Sequence, residues 1–231
     1  MRGGIVGERC SLQQLGAWQP RAGAGIVARV SRLGIFLTAY VTLAALALAA
    51  AHLGLEQSPW VHPSPWLTLG IGARHFYSGL MGLALGGVMV LLTRLSVERF
   101  TWAKRLHADL RPYIQGIDSL GILLLAVASS VAEELVFRGV LQNWLGLIPQ
   151  AIVFGFVHQL PGQSRWVWAF WAGLVGVVLG AVFQLTGSLV GPILAHGVVN
   201  GMNLHYLKGF NPAPPKRQLG GILSEFNERR R

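Results

Sequence analysis

Charged side chains are scarce in this sequence. Only 12% of its 231 residues are charged, whereas 52% are hydrophobic. A soluble globular domain carries about 25% charged residues. The shortage of charge argues against a soluble domain, and together with the long apolar runs it predicts a polytopic membrane protein.

Cysteine and several familiar motifs are also absent or nearly so. Cys10 is the one cysteine of the chain, which excludes an intrachain disulfide. The sequence has no P-loop, no zinc-finger spacing and no repeat of about 20 to 50 residues. Its N-terminus lacks a sustained apolar stretch of the right length, so we expect no cleavable signal peptide.

Six apolar segments stand out when about 20 residues are taken as one membrane crossing. Residues 96–115 mix aromatic and leucine side chains with basic ones, which predicts an amphipathic helix at the membrane interface. The Pro- and Trp-rich stretch 56–66 predicts a loop near the lipid headgroups. The pattern thus predicts an all-α transmembrane bundle with segments at 33–55, 76–95, 117–145, 147–160, 166–186 and 188–207.

The net charge of +10 comes from basic residues between the apolar runs. They cluster before the first segment, between the second and third, and after the sixth. This distribution fits lipid headgroups better than nucleic acid as a partner. It predicts that both termini are cytoplasmic, and that the protein lies in the inner membrane if its source is bacterial.

The third segment contains the run EELVFR, at residues 133–138. Glu134 and Arg138 are four residues apart, so they share a helix face and can form an ion pair. That pair could serve structure alone. Glu133 points about 100° away on the helix and has no local partner. Because ionisable residues within a membrane are usually functional, Glu133 is the better candidate for a reactive carboxylate.

Two other segments carry polar residues at the same spacing. Phe154 and His158 are four residues apart in the fourth segment, as are His196 and Asn200 in the sixth. Three helices can therefore present polar faces to one interior. A carboxylate beside an imidazole can take a proton from water, and a second imidazole and a carboxamide can donate to an oxyanion. These are the groups needed to hydrolyse an amide bond.

A metal centre is the alternative chemistry for the same side chains. Glu133, His158 and His196 could bind zinc as a carboxylate and two imidazoles. However, no H-E-x-x-H run occurs on a single helix, so the sequence signal for zinc is weak.

These residues resemble the motifs of the CPBP family of intramembrane proteases, which includes CAAX-processing prenyl endopeptidases and bacteriocin-processing proteins. EELVFR resembles the family's E-E-x-x-x-R motif, FGFVH (154–158) its F-x-x-x-H motif and HGVVN (196–200) its H-x-x-x-N motif. The motifs occur in the family's order, each on its own apolar segment. The resemblance covers about residues 117–206.

The resemblance implies a role for each residue. Glu133 would be the general base, with help from His158, and His196 and Asn200 would form the oxyanion hole. Glu134, Arg138 and Phe154 would support the site. The implied mechanism uses a glutamate without a cofactor, with zinc as the second choice. The substrate would be a membrane-anchored or C-terminal peptide.

On this basis we divide the chain into a basic N-terminal segment (1–32), two spans with the amphipathic helix (33–116), a catalytic core (117–207) and a basic tail (208–231). A non-proteolytic scaffold or a proton-coupled transporter could use the same cavity. A transporter more often shows paired half repeats, which we do not see. A scaffold descended from a protease would be expected to lose one of the residues implied in catalysis. All four are present, namely Glu133, His158, His196 and Asn200.

Overall fold

The computed structural model describes residues 22–54, 58–159 and 162–212, with side chains from Leu33 onward. Its helices are α1 (Ala22–Gly54), α2 (Ile71–Arg99), α3 (Thr101–Ile114), α4 (Ser119–Glu134), a π-helical stretch (Leu135–Leu141), α5 (Gln142–Leu145), α6 (Leu147–Val157), α7 (Arg165–Thr186) and α8 (Val190–Gly209). The all-α prediction is confirmed for this part of the chain. Cys10, residues 1–21 of the N-terminal segment and residues 213–231 of the tail lie outside the described residues.

The predicted number of six membrane spans is not confirmed. Among the described residues, four helices are long and apolar enough to cross a membrane, at Leu33–Gly54, Ile71–Arg99, Ser119–Leu145 and Arg165–Thr186. The 11 residues of α6 rise about 16 Å, against a hydrocarbon core of about 30 Å. Helix α8 does not meet the same criterion, and its polar side chains His196, Asn200 and Asn203 explain why. The chain is a multi-pass membrane protein in which α6 and α8 do not meet the criterion for a span.

Helix α6 ends at Val157, before the predicted end of its segment at residue 160. The backbone of His158 leaves the helical region, with φ −91° and ψ 32°. Its Nδ1 atom lies 2.7 Å from the Phe154 carbonyl oxygen. The carbonyls of a last helical turn lack partners within the helix, so His158 satisfies one of them and ends α6.

The amphipathic helix is shorter than predicted. Residues 96–99 belong to α2, and the extended backbone of Phe100 (φ −113°, ψ 135°) separates α2 from α3. The buried side of α3 carries Ala103, Leu106 and His107. It therefore packs one face on the bundle.

Glycines allow two helix pairs to approach closely. A methyl group built on Gly82 of α2 would lie 2.1 Å from the carbonyl oxygen of Gly191 in α8. A methyl group on Gly155 of α6 would lie 2.7 Å from the carbonyl oxygen of Ala169 in α7. Helices α8 and α6, which carry two of the three motifs, are therefore held in place by backbone contact.

The C-terminal end of α8 is held by α3. His107 Nε2 lies 3.0 Å from the Phe210 carbonyl oxygen, and Arg111 Nε donates to the same oxygen at 3.1 Å. Burial lowers the pKa of His107, against the opposing effect of its hydrogen bond to Phe210. The neutral imidazole is therefore the form that fits between α3 and α8.

Candidate active site

The acidic residues of the third apolar segment lie at the end of α4, where the helix widens into the π-helical stretch. Single π-helical turns occur frequently at functional sites. Glu134 and Arg138 are fully buried, and Glu133 is 8% exposed. The predicted ion pair is present, with Arg138 Nη1 2.7 Å from Glu134 Oε1.

Glu134 interacts with residues of two motifs, Arg138 of its own motif and His196 of the third. Its Oε1 atom accepts from Arg138 and also lies 2.7 Å from His196 Nδ1. A carboxylate that already accepts from a guanidinium is an acceptor, so His196 Nδ1 carries the proton. The Arg138 guanidinium also donates to the Gly176 carbonyl oxygen of α7 at 3.2 Å. Glu134 therefore orients His196 from a position that is closed to solvent.

Glu133 faces both histidines. Its Oε2 atom lies 3.5 Å from His158 Nε2 and 3.8 Å from His196 Nε2. This oxygen is buried and has no hydrogen-bond donor among the described residues. His158 Nδ1 donates to the Phe154 carbonyl, so in each neutral ring the proton is on Nδ1 and the Nε2 lone pair points toward Glu133. Three atoms with free lone pairs thus converge on one point.

Phe154 forms the packing surface beneath these groups. It is 2% exposed, and its ring centroid lies 4.3 Å from that of His158 and 4.7 Å from that of Phe137. The Arg138 guanidinium carbon lies 4.7 Å from the same ring centroid, within cation–π range. Phe154 therefore fixes the plane of His158 and covers the buried arginine.

Asn200 lies one helical turn after His196 on α8. Its Nδ2 atom donates to Ser129 Oγ at 3.0 Å. Asn200 is only partly buried and lines the same cavity as Glu133 and both histidines. The three motifs, which are far apart in the sequence, are therefore brought together around one cavity.

That cavity has a volume of about 340 Å³ and is mostly apolar. Helices α1, α2, α3 and α7 supply apolar and aromatic side chains to its wall, among them Phe36, Val97, Trp102, Leu106, Trp168 and Trp171. A site with a few convergent polar groups in an apolar cleft is the usual form of a ligand pocket.

Tyr40 and Ser129 are residues of the cavity wall that the motifs did not identify and that interact with motif residues. Tyr40 of α1 lines it and interacts through its hydroxyl group with Glu133. No sequence signal pointed to Tyr40, because α1 lies outside the region of the resemblance. Ser129 could have been found, since it precedes Glu133 by four residues and so shares its helix face.

The residues around Glu133 offer suitable donor types for zinc, because imidazole nitrogens and a carboxylate are its common ligands. Within the part of the chain that the structure describes, no three His, Cys, Asp or Glu side chains are arranged as a metal site. His196 can still offer Nε2 to a metal while its Nδ1 is oriented by Glu134, which is the usual outer-shell arrangement for a metal-binding histidine.

A buried carboxylate, two histidines and an asparagine thus lie around one cavity of this helical membrane protein. Residues 116–202 match the family model described as Type II CAAX prenyl endopeptidase Rce1-like. This match confirms the family resemblance seen in the three motifs.

One curated relative is similar to part of the chain. The chain is 32% identical over 79 residues to the uncharacterized protein YpbD of Bacillus subtilis (strain 168). The alignment covers 34% of this chain and 41% of that relative. No solved structure matches the chain significantly.

Proposed function

We propose that this protein is an intramembrane endopeptidase that hydrolyses a peptide bond near the membrane, with Glu133 as the general base. The observation that carries the proposal is the position of Glu133 Oε2. It is buried, has no hydrogen-bond donor in the part of the chain that the structure describes, and faces His158 Nε2 at 3.5 Å and His196 Nε2 at 3.8 Å. A water molecule has two O–H groups, which it can donate to Glu133 Oε2 and His158 Nε2. The match to the endopeptidase family at residues 116–202 adds support.

In the proposed reaction, the Glu133 carboxylate takes a proton from this water as the water oxygen attacks the scissile carbonyl carbon. His158 assists by holding the water between its Nε2 atom and Glu133. The proton then passes to the leaving amine, which completes hydrolysis and restores the carboxylate. A positioned general base contributes about 10²- to 10⁴-fold to such a reaction.

The oxyanion would be stabilised from α8. Asn200 can donate from its carboxamide. His196 can donate from Nε2 when both of its ring nitrogens carry protons, and Glu134 then faces the positive ring from Nδ1. Loss of one oxyanion donor costs about 10²- to 10³-fold in rate.

The apolar wall favours a peptide that carries apolar side chains or a membrane anchor. We propose a membrane-anchored or C-terminal peptide as substrate and the lipid bilayer as the surrounding partner. With the basic residues placed on the cytoplasmic side, both termini are cytoplasmic, and in a bacterium the protein lies in the inner membrane.

Zinc hydrolysis is the second candidate mechanism. The observation that favours it is that Glu133 Oε2 lies near two imidazole nitrogens, His158 Nε2 and His196 Nε2, although these three side chains are not arranged as a metal site in the structure. In that case Glu133 and the two histidines would hold the metal, which would supply an activated water. The two mechanisms differ in their response to metal removal.

The experiment compares wild-type protein with Glu133→Gln on a panel of membrane-anchored peptides, with cleavage detected by mass spectrometry. Glutamine keeps the shape of the side chain but is no base. We expect cleavage to fall by about 10²-fold or more with an unchanged melting temperature. Glu98→Gln is the matched control, because Glu98 is exposed on α2. Normal cleavage by Glu133→Gln would refute the proposed base.

A further inference from the structure

Ser129 is a buried polar residue of α4 that lies outside the three motifs. It is 5% exposed and lines the cavity together with Glu133 and Asn200. It precedes Glu133 by one helical turn, so α4 presents both side chains on the same face.

The hydrogen bonds of Ser129 have a fixed direction. Its hydroxyl donates to the Ala126 carbonyl oxygen at 3.4 Å, and its oxygen accepts from Asn200 Nδ2 at 3.0 Å. A carbonyl oxygen only accepts, so the serine hydrogen is directed to Ala126 and Ser129 is left as an acceptor for Asn200. The α4 backbone therefore determines which end of the Asn200 carboxamide faces α4.

We propose that Ser129 is a positioning residue, which holds the Asn200 carboxamide with its NH₂ group toward the reaction site. An NH₂ group has two hydrogens, so one can bind Ser129 while the other donates to the oxyanion. The reversed carboxamide would present its oxygen to a developing negative charge, which opposes catalysis. The inference rests on the proposed function, because it gives Asn200 the role of oxyanion donor.

The adjacent serine offers a matched control. Ser130 is also buried, at 2% exposure, and its hydroxyl donates to the Val127 carbonyl at 3.0 Å. It is in the same helix and makes the same kind of local bond but no bond to Asn200. Ser130→Ala therefore measures the effect of removing a buried serine hydroxyl from α4 by itself.

The test is a kinetic double-mutant cycle. We expect Ser129→Ala to lower kcat by about 10-fold, below the 10²- to 10³-fold loss typical of removing an oxyanion donor, and to leave KM within about twofold. Ser129→Thr keeps the hydroxyl and restores kcat. In the Asn200→Ala background, Ser129→Ala causes no further loss, because residues that act through one another are not additive. Ser130→Ala leaves kcat unchanged.

The inference would be overturned if Ser129→Ala lowered kcat by the same factor in the wild-type and the Asn200→Ala backgrounds. It would also be overturned if the kcat of Ser129→Ala were within about twofold of the wild-type value.

A second readout does not need cleavage. In ¹⁵N-asparagine-labelled protein, the side-chain NH₂ signals of Asn200, identified by their loss in Asn200→Asp, shift in Ser129→Ala and not in Ser130→Ala. Unshifted signals would refute the positioning role. If no peptide is cleaved, the proposed function fails while these signals still decide the role of Ser129.

Discussion

Replacing Glu134 by glutamine should destabilise the protein as well as inactivate it. Glu134 Oε1 is the acceptor for both Arg138 Nη1 and His196 Nδ1, each at 2.7 Å, and Glu134 and Arg138 are fully buried. A glutamine keeps one oxygen but removes the negative charge. The guanidinium is then left in the interior without the carboxylate that it is paired with.

The cost can be estimated from that burial. Removing one partner of a buried ion pair costs about 3–5 kcal/mol. For a protein of this size each kcal/mol lowers the melting temperature by about 2–4 °C. We therefore expect the melting temperature of Glu134→Gln in detergent to fall by about 6–20 °C. Cleavage should also fall, because His196 loses the carboxylate that orients it.

A second variant separates the two effects. Glu134→Gln combined with Arg138→Met removes both charges, so part of the lost stability should return, as it does when a buried pair is replaced by apolar groups. Activity should not return, because His196 remains without its carboxylate. If the melting temperature of Glu134→Gln stays within about 3 °C of the wild-type value, the ion pair is not the structural element described here.

Three further outcomes are expected. Gly82→Ala places a methyl group 2.1 Å from a backbone oxygen of α8 and should lower the free energy of unfolding by about 1–3 kcal/mol. Gly87→Ala is the control, because a methyl group at Gly87 would have no atom within 4 Å, and it should leave the melting temperature unchanged. Burial lowers the pKa of His107 in the folded protein. The neutral imidazole therefore contributes its full stability above the unfolded-state pKa of about 6.5, and the free energy of unfolding should fall as the pH drops below that value. His107→Gln should reduce this pH dependence in melting curves between pH 7.5 and 5.5. Tyr40→Phe removes the hydroxyl that interacts with Glu133 and should lower kcat several-fold at an unchanged melting temperature; an unchanged kcat would show that Tyr40 only lines the cavity.

Much of the site was predictable because its residues follow helical spacing. Glu134 and Arg138 are four residues apart and pair in the structure. Ser129 and Glu133 have the same spacing and share a face. Spacing of this kind is local, so the sequence alone is sufficient to derive it.

Contacts between distant segments could not be derived in the same way. The sequence paired Glu134 with Arg138 but gave no reason for His196 to share its Oε1 atom. That contact depends on how α8 packs against α4. Tyr40 reaches the cavity for a similar reason, since only the packing of α1 against α4 brings it there.

Two of the predicted membrane spans, in the fourth and sixth segments, are not confirmed, because polar groups end one helix and interrupt the apolar sequence of the other. The apolar character of the fourth segment predicts a span, yet His158 bonds to the Phe154 carbonyl and ends α6 after 11 residues. The length of the sixth segment also predicts a span. Its polar residues serve the cavity, so α8 does not have the hydropathy of a lipid-facing helix.

The most direct measurement of the central claim is cleavage by metal-free protein. The protein is purified in detergent and stripped with a chelator, its residual metal is measured by elemental analysis, and cleavage of the membrane-anchored peptide panel is followed for wild type and Glu133→Gln. Water activation by Glu133 predicts that wild type cleaves at an unchanged rate without metal and that Glu133→Gln does not. Cleavage that is lost with stoichiometric zinc and restored when zinc is added back would contradict this account and would make His158 and His196 metal ligands.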